Sequence, residues 1–128
     1  MTELERWQEV MREMKAEPLT LSPKISSTMR TSLTGMLFIL ARYKFGMQMM
    51  RNRRGLKIID FGCNDGIGDL MIRQNIDAES ILGVDFDADA IKWAKENLED
   101  DILHFEEADF LGKFFGGGGR RCYLSGCN

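Results

Sequence analysis

The chain has 128 residues, 44% of them apolar and 29% charged, and a net charge of −3 at pH 7. These values are typical of an ordinary globular protein with room for one small domain, and they give no general attraction to nucleic acids or anionic membranes. The three cysteines do not make an even disulfide set, and the polar N-terminus is unlike a secretory signal. A reducing, cytoplasmic setting is therefore expected.

The first 55 residues are predicted to form a helical cap segment. Thr2 is positioned to cap a first helix, which Pro18 ends. Its apolar residues recur at steps of three and four: Leu4, Trp7, Met11 and Met14. A second, long helix follows, capped by Ser26 or Ser27, in which apolar residues recur in the same way from Met29 to Met50. We expect it to pack across a sheet, with a partner-binding or membrane-surface helix as alternatives.

A basic segment with the sequence Arg-Asn-Arg-Arg-Gly occupies residues 51–55. It could be a phosphate-binding patch. The favoured interpretation is a helix C-terminus, where cations suit the helix dipole and Gly55 supplies a left-handed cap.

Three short apolar runs, at residues 58–61, 81–85 and 102–105, alternate with two short amphipathic patterns. This order predicts an α/β fold with a β-α-β-α-β parallel sheet over residues 56–115, in which Asp87 caps the second crossover helix. Residues 116–128 begin with four glycines and are predicted to be an irregular tail. Cys122 and Cys127 could pair on a metal, but there is no second pair and His104 is distant, so no metal site is expected.

The turn after the first predicted strand carries the chemistry. It runs from Asp60 to Gly68 with the sequence Asp-Phe-Gly-Cys-Asn-Asp-Gly-Ile-Gly. Such a turn exposes backbone N–H groups beside a helix N-terminus and is suited to nucleotide-type ligands. A dinucleotide fingerprint needs glycines at the spacing G-x-G-x-x-G, which no register of this turn satisfies. A nicotinamide-dependent enzyme is therefore disfavoured.

The turn instead resembles the first motif, D-x-G-x-G-x-G, of class I S-adenosylmethionine-dependent methyltransferases, with Asn64 in place of the middle glycine. Asn is the residue other than Gly that best tolerates a positive φ, so the turn is expected to survive. Two further segments resemble motifs of this family in the right order: Gly-Val-Asp ending at Asp85 and Ala-Asp ending at Asp109. The segment 42–45 also resembles small-molecule methyltransferases, including sugar-modifying ones.

The resemblance implies a cofactor site. The backbone of Gly62, Cys63, Asn64 and Gly66 would approach the methionine part of S-adenosylmethionine, and Asp60 would fix the loop or meet the amino group. Asp85 would hold the ribose hydroxyls, with Phe86 against the adenine, Asp109 at its amine and Phe110 nearby. Asp60 could instead only bind loop N–H groups, and Phe86 could be a core residue.

The implied fold is a partial Rossmann-like domain, since the family has about seven strands and the sequence predicts three. The chain is expected to be truncated, with its first predicted strand exposed at the edge of the sheet and prone to self-association. The predicted function is methyl transfer to a small-molecule acceptor, a sugar among the candidates. The alternative is a non-catalytic cofactor-binding or interaction fragment, and no catalytic residue is assigned.

Overall fold

The computed structural model describes residues 1–16, 20–109 and 121–125, which form five helices and four strands. In chain order these are α1 (Glu3–Ala16), α2 (Pro23–Thr31), α3 (Leu33–Met50), β1 (Leu56–Phe61), α4 (Ile67–Asn75), β2 (Ala78–Asp85), α5 (Ala88–Asn97), β3 (Leu103–Glu107) and β4 (Arg121–Ser125). Within this part of the chain, no helix is both long and apolar enough to cross a membrane.

The four strands form a parallel sheet in the order β3-β2-β1-β4. The predicted β-α-β-α-β unit is confirmed. β1 and β2 start earlier than their apolar runs, at Leu56 and Ala78. The reason is that the pairing uses backbone groups, so polar residues such as Lys57 and Ser80 join the ladder.

The main core lies between one face of the sheet and helices α3, α4 and α5. Its largest fully buried side chains include Leu56, Ile58, Ile72, Ile81 and Leu103. A smaller cluster lies on the other face, around Ile59, Val84 and Ala108. The prediction that the residues up to Met50 pack across a sheet is confirmed for α3, because Tyr43 and Met50 are buried in the main core.

The single long helix predicted from Met29 to Met50 is wrong. The chain breaks at Ser32, which is extended at φ −159° and whose side chain accepts a hydrogen bond from the Gly35 N–H at 3.0 Å. The predicted caps Ser26 and Ser27 are also wrong, because Ser22 caps α2. Pro23 directly after Ser22 explains this start, since proline suits the first helical position.

The first helix is confirmed, and Thr2 caps it. The Thr2 hydroxyl accepts from the Glu5 N–H at 3.2 Å, and the Glu5 carboxylate accepts from the Thr2 N–H at 2.7 Å. Its apolar stripe is nevertheless exposed, with Leu4, Trp7 and Met14 all open to solvent. Periodicity therefore predicted the helix correctly but gives no packing partner for it among the described residues.

Part of the predicted irregular tail is wrong. Residues Arg121–Ser125 form β4, which pairs in parallel with β1 over Lys57 to Phe61. The edge of β1 that was expected to be exposed is therefore covered, and the sheet has a fourth strand. Cys122 lies in β4, whereas Cys127 and the four glycines lie outside the described residues.

Candidate functional site

The turn between β1 and α4 has the backbone that its sequence predicts. Gly62, Asn64 and Gly66 all take positive φ, at 78°, 56° and 86°. Asn64 therefore adopts the left-handed conformation expected of it. Gly66 must also be small, because a Cβ there would come within 2.4 Å of the Phe105 ring.

Hydrogen bonds tie this turn to the end of β2. The N–H groups of Gly62 and Cys63 donate to the Val84 carbonyl at 2.7 and 3.1 Å. The Asn64 N–H donates to Asp85 Oδ2 at 2.9 Å. Three hydrogen bonds thus join the turn and the acidic end of β2 into one unit.

The sheet order places this unit where ligands bind in open α/β sheets. β2 and β3 lie on one side of β1 and β4 lies on the other. In open α/β sheets, ligands bind in the crevice outside the carboxyl ends of the strands, at the point where the strand order reverses, which in this sheet is β1. The turn from Gly62 to Gly66 lies at that end.

Four carboxyl groups are buried around the turn. Asp60, Asp65, Asp69 and Asp85 each have 2% or less of their surface exposed. Asp60 accepts a hydrogen bond from the Tyr43 hydroxyl at 2.6 Å. Asp60 Oδ1 and both Asp69 oxygens meet no donor among the described residues. A proton on one of the two carboxyls would provide the missing hydrogen bond between them.

Burial changes the protonation of this cluster. It raises the pKa of Asp69 well above its ordinary value, and the neighbouring Asp60 carboxylate raises it further. Burial also raises the pKa of Asp60, against the hydrogen bonds from Asp69 and Tyr43. Burial and the neighbouring carboxylate therefore favour the protonated form of Asp69, which can donate a hydrogen bond to Asp60.

Tyr43 and Cys63 remain protonated for the same reason. Burial is the largest cause that raises the pKa of each, with added repulsion from Asp60 and Asp69. The Cys63 side chain lies in the main core. The backbone of Cys63 lies in the turn, as its predicted role requires, but its side chain points away into the core.

The remaining predicted residues lie at the ends of β2 and β3. Asp85 is buried and accepts from the Asp87 N–H at 2.8 Å, while Asp87 caps α5 as predicted. Phe86 is 61% exposed, so its interpretation as a core residue is wrong. Asp109 is exposed and follows Ala108, whose N–H donates to the Asp85 carbonyl at 2.9 Å. Phe110 lies outside the described residues.

Sequence analysis missed the residues that reach the turn from the helical segment. The Ser22 hydroxyl donates to Asp65, and Lys24 donates to the side-chain oxygen of Asn64. Tyr43 binds Asp60 and packs its ring where a Cβ on Gly68 would lie, at 2.1 Å. The Ser-Pro pair at residues 22–23 was a signal for the α2 cap, but no local pattern predicts these long-range bonds.

The sequence was also compared with models of known protein families. The model of the family "Ribosomal protein L11 methyltransferase (PrmA)" matches residues 37–109, which is more than half of the chain. The chain belongs to the PrmA family. The match runs from α3 to Asp109 and so contains every predicted cofactor residue except Phe110. The resemblance to class I S-adenosylmethionine-dependent methyltransferases is confirmed, and S-adenosylmethionine is the cofactor that membership implies.

Solved structures support the same fold for this PrmA family member. An S-adenosylmethionine-dependent methyltransferase from Mesorhizobium loti matches with a TM-score of 0.57 and 22% identity, over 66% of this chain and 38% of that one. A putative one from Listeria monocytogenes matches with a TM-score of 0.55 and 17% identity, over 67% and 40%. A TehB-like enzyme from Corynebacterium glutamicum matches with a TM-score of 0.54 and 17% identity, over 96% and 54%.

These structures confirm the predicted partial Rossmann-like α/β fold. The chain spans between 38% and 54% of their lengths. No curated protein matches the chain in sequence.

Proposed function

We propose that the chain is the cofactor-binding part of an S-adenosylmethionine-dependent methyltransferase. The observation that carries the proposal is the cluster of buried acidic side chains around the turn. Asp60, Asp65, Asp69 and Asp85 are all buried around the turn. Carboxylates there disfavour the pyrophosphate of a dinucleotide and favour a cofactor with a cationic sulfonium and a cationic amino group.

The residues present fit this cofactor. The positive-φ turn from Gly62 to Gly66 removes side chains from the path of the methionine part, and the buried Asp60 carboxyl lies at the start of that turn. Each Asp85 oxygen accepts one backbone N–H and retains capacity for a ribose hydroxyl. Phe86 offers an exposed ring for the adenine, and Asp109 lies beyond it at the end of β3. When bound, S-adenosylmethionine supplies a methyl group activated by positive sulfur.

For the acceptor, the family name favours a protein over a small molecule. The small-molecule prediction depended on segment 42–45, whose Tyr43 is buried and bonded to Asp60. Tyr43 therefore supports the turn and does not face an acceptor.

We infer that the acceptor is a protein. The test measures the transfer of radiolabelled methyl groups to ribosomal protein L11 and, separately, to sugars. Labelling of sugars alone would restore the small-molecule hypothesis, and no labelling with intact cofactor binding favours a non-catalytic fragment.

The cofactor proposal is tested by titration calorimetry with S-adenosylhomocysteine. We expect Phe86→Ala to weaken binding by about 5- to 150-fold, because ring–base stacking contributes about 1–3 kcal/mol. Phe45→Ala is the matched control. Phe45 is 64% exposed, similar to Phe86, and lies on α3. Both variants should unfold at the same temperature as the parent chain, since neither ring is buried.

Three results would contradict the proposal. The first is no binding of S-adenosylhomocysteine by the parent chain. The second is equal binding by the two phenylalanine variants, which would remove Phe86 from the site. The third is tighter binding of NADH than of S-adenosylhomocysteine, which would reverse the assignment made from the buried carboxylates.

A further inference from the structure

A second cavity lies at the opposite end of the sheet from the glycine-rich turn. It has a volume of about 630 Å³ and is lined by the end of α3, the 51–55 loop and the end of α4. The loop leads directly into β1, and the turn follows β1. Since a strand rises about 3.3 Å per residue, the six residues of β1 place the two sites roughly 17–20 Å apart.

The cavity is strongly cationic. Lys44, Arg51, Arg53 and Arg54 line it against one carboxylate, Asp77. The whole chain has a net charge of −3, so this concentration is not a general property of its surface. Among the described residues, the ion pairs involve only Arg73, so none of these four cations is neutralised by a carboxylate there.

The helix dipole accounts for Arg51, the C-cap residue of α3, but not for Arg53 and Arg54, which follow in the loop. The loop itself follows a defined path. Asn52 and Gly55 take positive φ of 69° and 62°, and the Arg53 N–H donates to the Met50 carbonyl at 3.2 Å. Asn52 takes the left-handed conformation that Asn often adopts just after a helix, and the arginines on both sides of it line one cavity.

We propose that this cavity binds a compact polyphosphate anion of nucleotide size. Arginine guanidinium groups bind phosphate oxygens in pairs, and several around one concavity favour a ligand with several phosphates. A cavity of this volume is in the range of small-molecule sites. The other lining residues suit a nucleoside: Met47 and Ile76 are apolar, and Gln48, Asn52 and Asn75 carry amides that both donate and accept hydrogen bonds.

The test uses the full chain titrated with ATP and, separately, with inorganic tripolyphosphate at low and physiological salt. We expect Arg53→Glu combined with Arg54→Glu to weaken the binding of ATP at least about tenfold. The matched control combines Arg12→Glu with Arg30→Glu, which makes the same charge change on α1 and α2 and should bind like the parent. Tighter binding of ATP than of tripolyphosphate would identify a nucleotide, and equal binding would identify the phosphates alone as the ligand.

Three outcomes would overturn the proposal: no binding of either probe, binding that the Arg53/Arg54 variant retains, or binding of a single-stranded oligoribonucleotide only. Titration of the same variants with S-adenosylhomocysteine keeps this site separate from the cofactor site. The Arg53/Arg54 variant should bind S-adenosylhomocysteine like the parent, so each proposal can fail without the other.

Discussion

At the scale of single residues, the site depends on carboxyl groups that the fold removes from water. The Asp60 and Asp69 carboxyls are both buried beside the turn, and the Tyr43 hydroxyl donates a hydrogen bond to Asp60. Two ionised carboxylates cannot both be accommodated there without a cation. The pair therefore keeps a proton on Asp69 until a cationic ligand or a rise in pH removes it.

This arrangement predicts the sign of a pH dependence. An Asp in the unfolded chain has a pKa of about 3.9, and burial raises the pKa of Asp69 in the folded chain. The folded state then binds a proton that the unfolded state releases, so the contribution of Asp69 to stability is greatest below about pH 4 and is lost as the pH rises through the folded pKa. Asp69→Asn keeps a donor toward Asp60 and should be about 1–2 kcal/mol more stable than the parent at pH 7 by urea unfolding.

Asp100 provides a control of opposite sign. Backbone N–H groups of Leu103 and Ile102 and the Arg73 side chain lower the pKa of Asp100. A lowered folded pKa adds stability above the unfolded pKa that is lost as the pH falls. Asp100→Asn should therefore be less stable than the parent at pH 7 and equal to it in acid. If Asp69→Asn were also less stable than the parent at pH 7, the proposal that Asp69 is protonated in the folded chain would be wrong.

Some of these residues could be predicted from sequence and others could not. Asn64 and Asp87 were predicted correctly because left-handed turns and helix caps depend on a residue and its near neighbours. The bond from Tyr43 to Asp60 spans 17 positions and exists only once α3 packs on α4. No local rule contains that information.

At the scale of elements, α2 and α3 show where periodicity misleads. Apolar residues continue at helical spacing across Ser32, so the pattern alone favours one helix. Ser32 instead leaves the helical region and its hydroxyl accepts from the Gly35 N–H. Serine competes for backbone hydrogen bonds in this way, which is why it favours caps over helix interiors.

The Ser32 hydroxyl is therefore the side-chain cap of α3. Ser32→Ala removes the acceptor for the first turn of α3 and should lower the free energy of unfolding by about 0.5–2 kcal/mol. Ser27→Ala, at an exposed position inside α2, is the control and should have little effect because alanine is a good helix former. Urea unfolding of both variants at one pH checks this. Equal stability of the two variants would show that the Ser32 cap contributes nothing.

At the scale of the whole molecule, β4 decides the topology of the sheet. It lies on the opposite side of β1 from β2 and so creates the point at which the strand order reverses. Its sequence, Arg-Cys-Tyr-Leu-Ser, has an apolar run of only three residues and contains no Val or Ile, which are common in buried parallel strands. Strand formation depends on the neighbouring strand as much as on the segment, so β1 had to be placed before β4 could be predicted.

Removal of residues 110–128 is the corresponding test. It would leave the β1 edge unpaired from Lys57 to Phe61, including the apolar Ile58 and Ile59. A bare apolar edge of this kind pairs with other chains, so we expect the shortened chain to self-associate in sedimentation velocity and to unfold at lower urea concentration. Removal of residues 1–16 takes away a similar length, and because the α1 side chains described are exposed, it should neither promote association nor lower stability. A monomeric 1–109 chain as stable as the parent would mean that β4 pairing does not stabilise the sheet, and the reversal point would then have to be assigned to another segment.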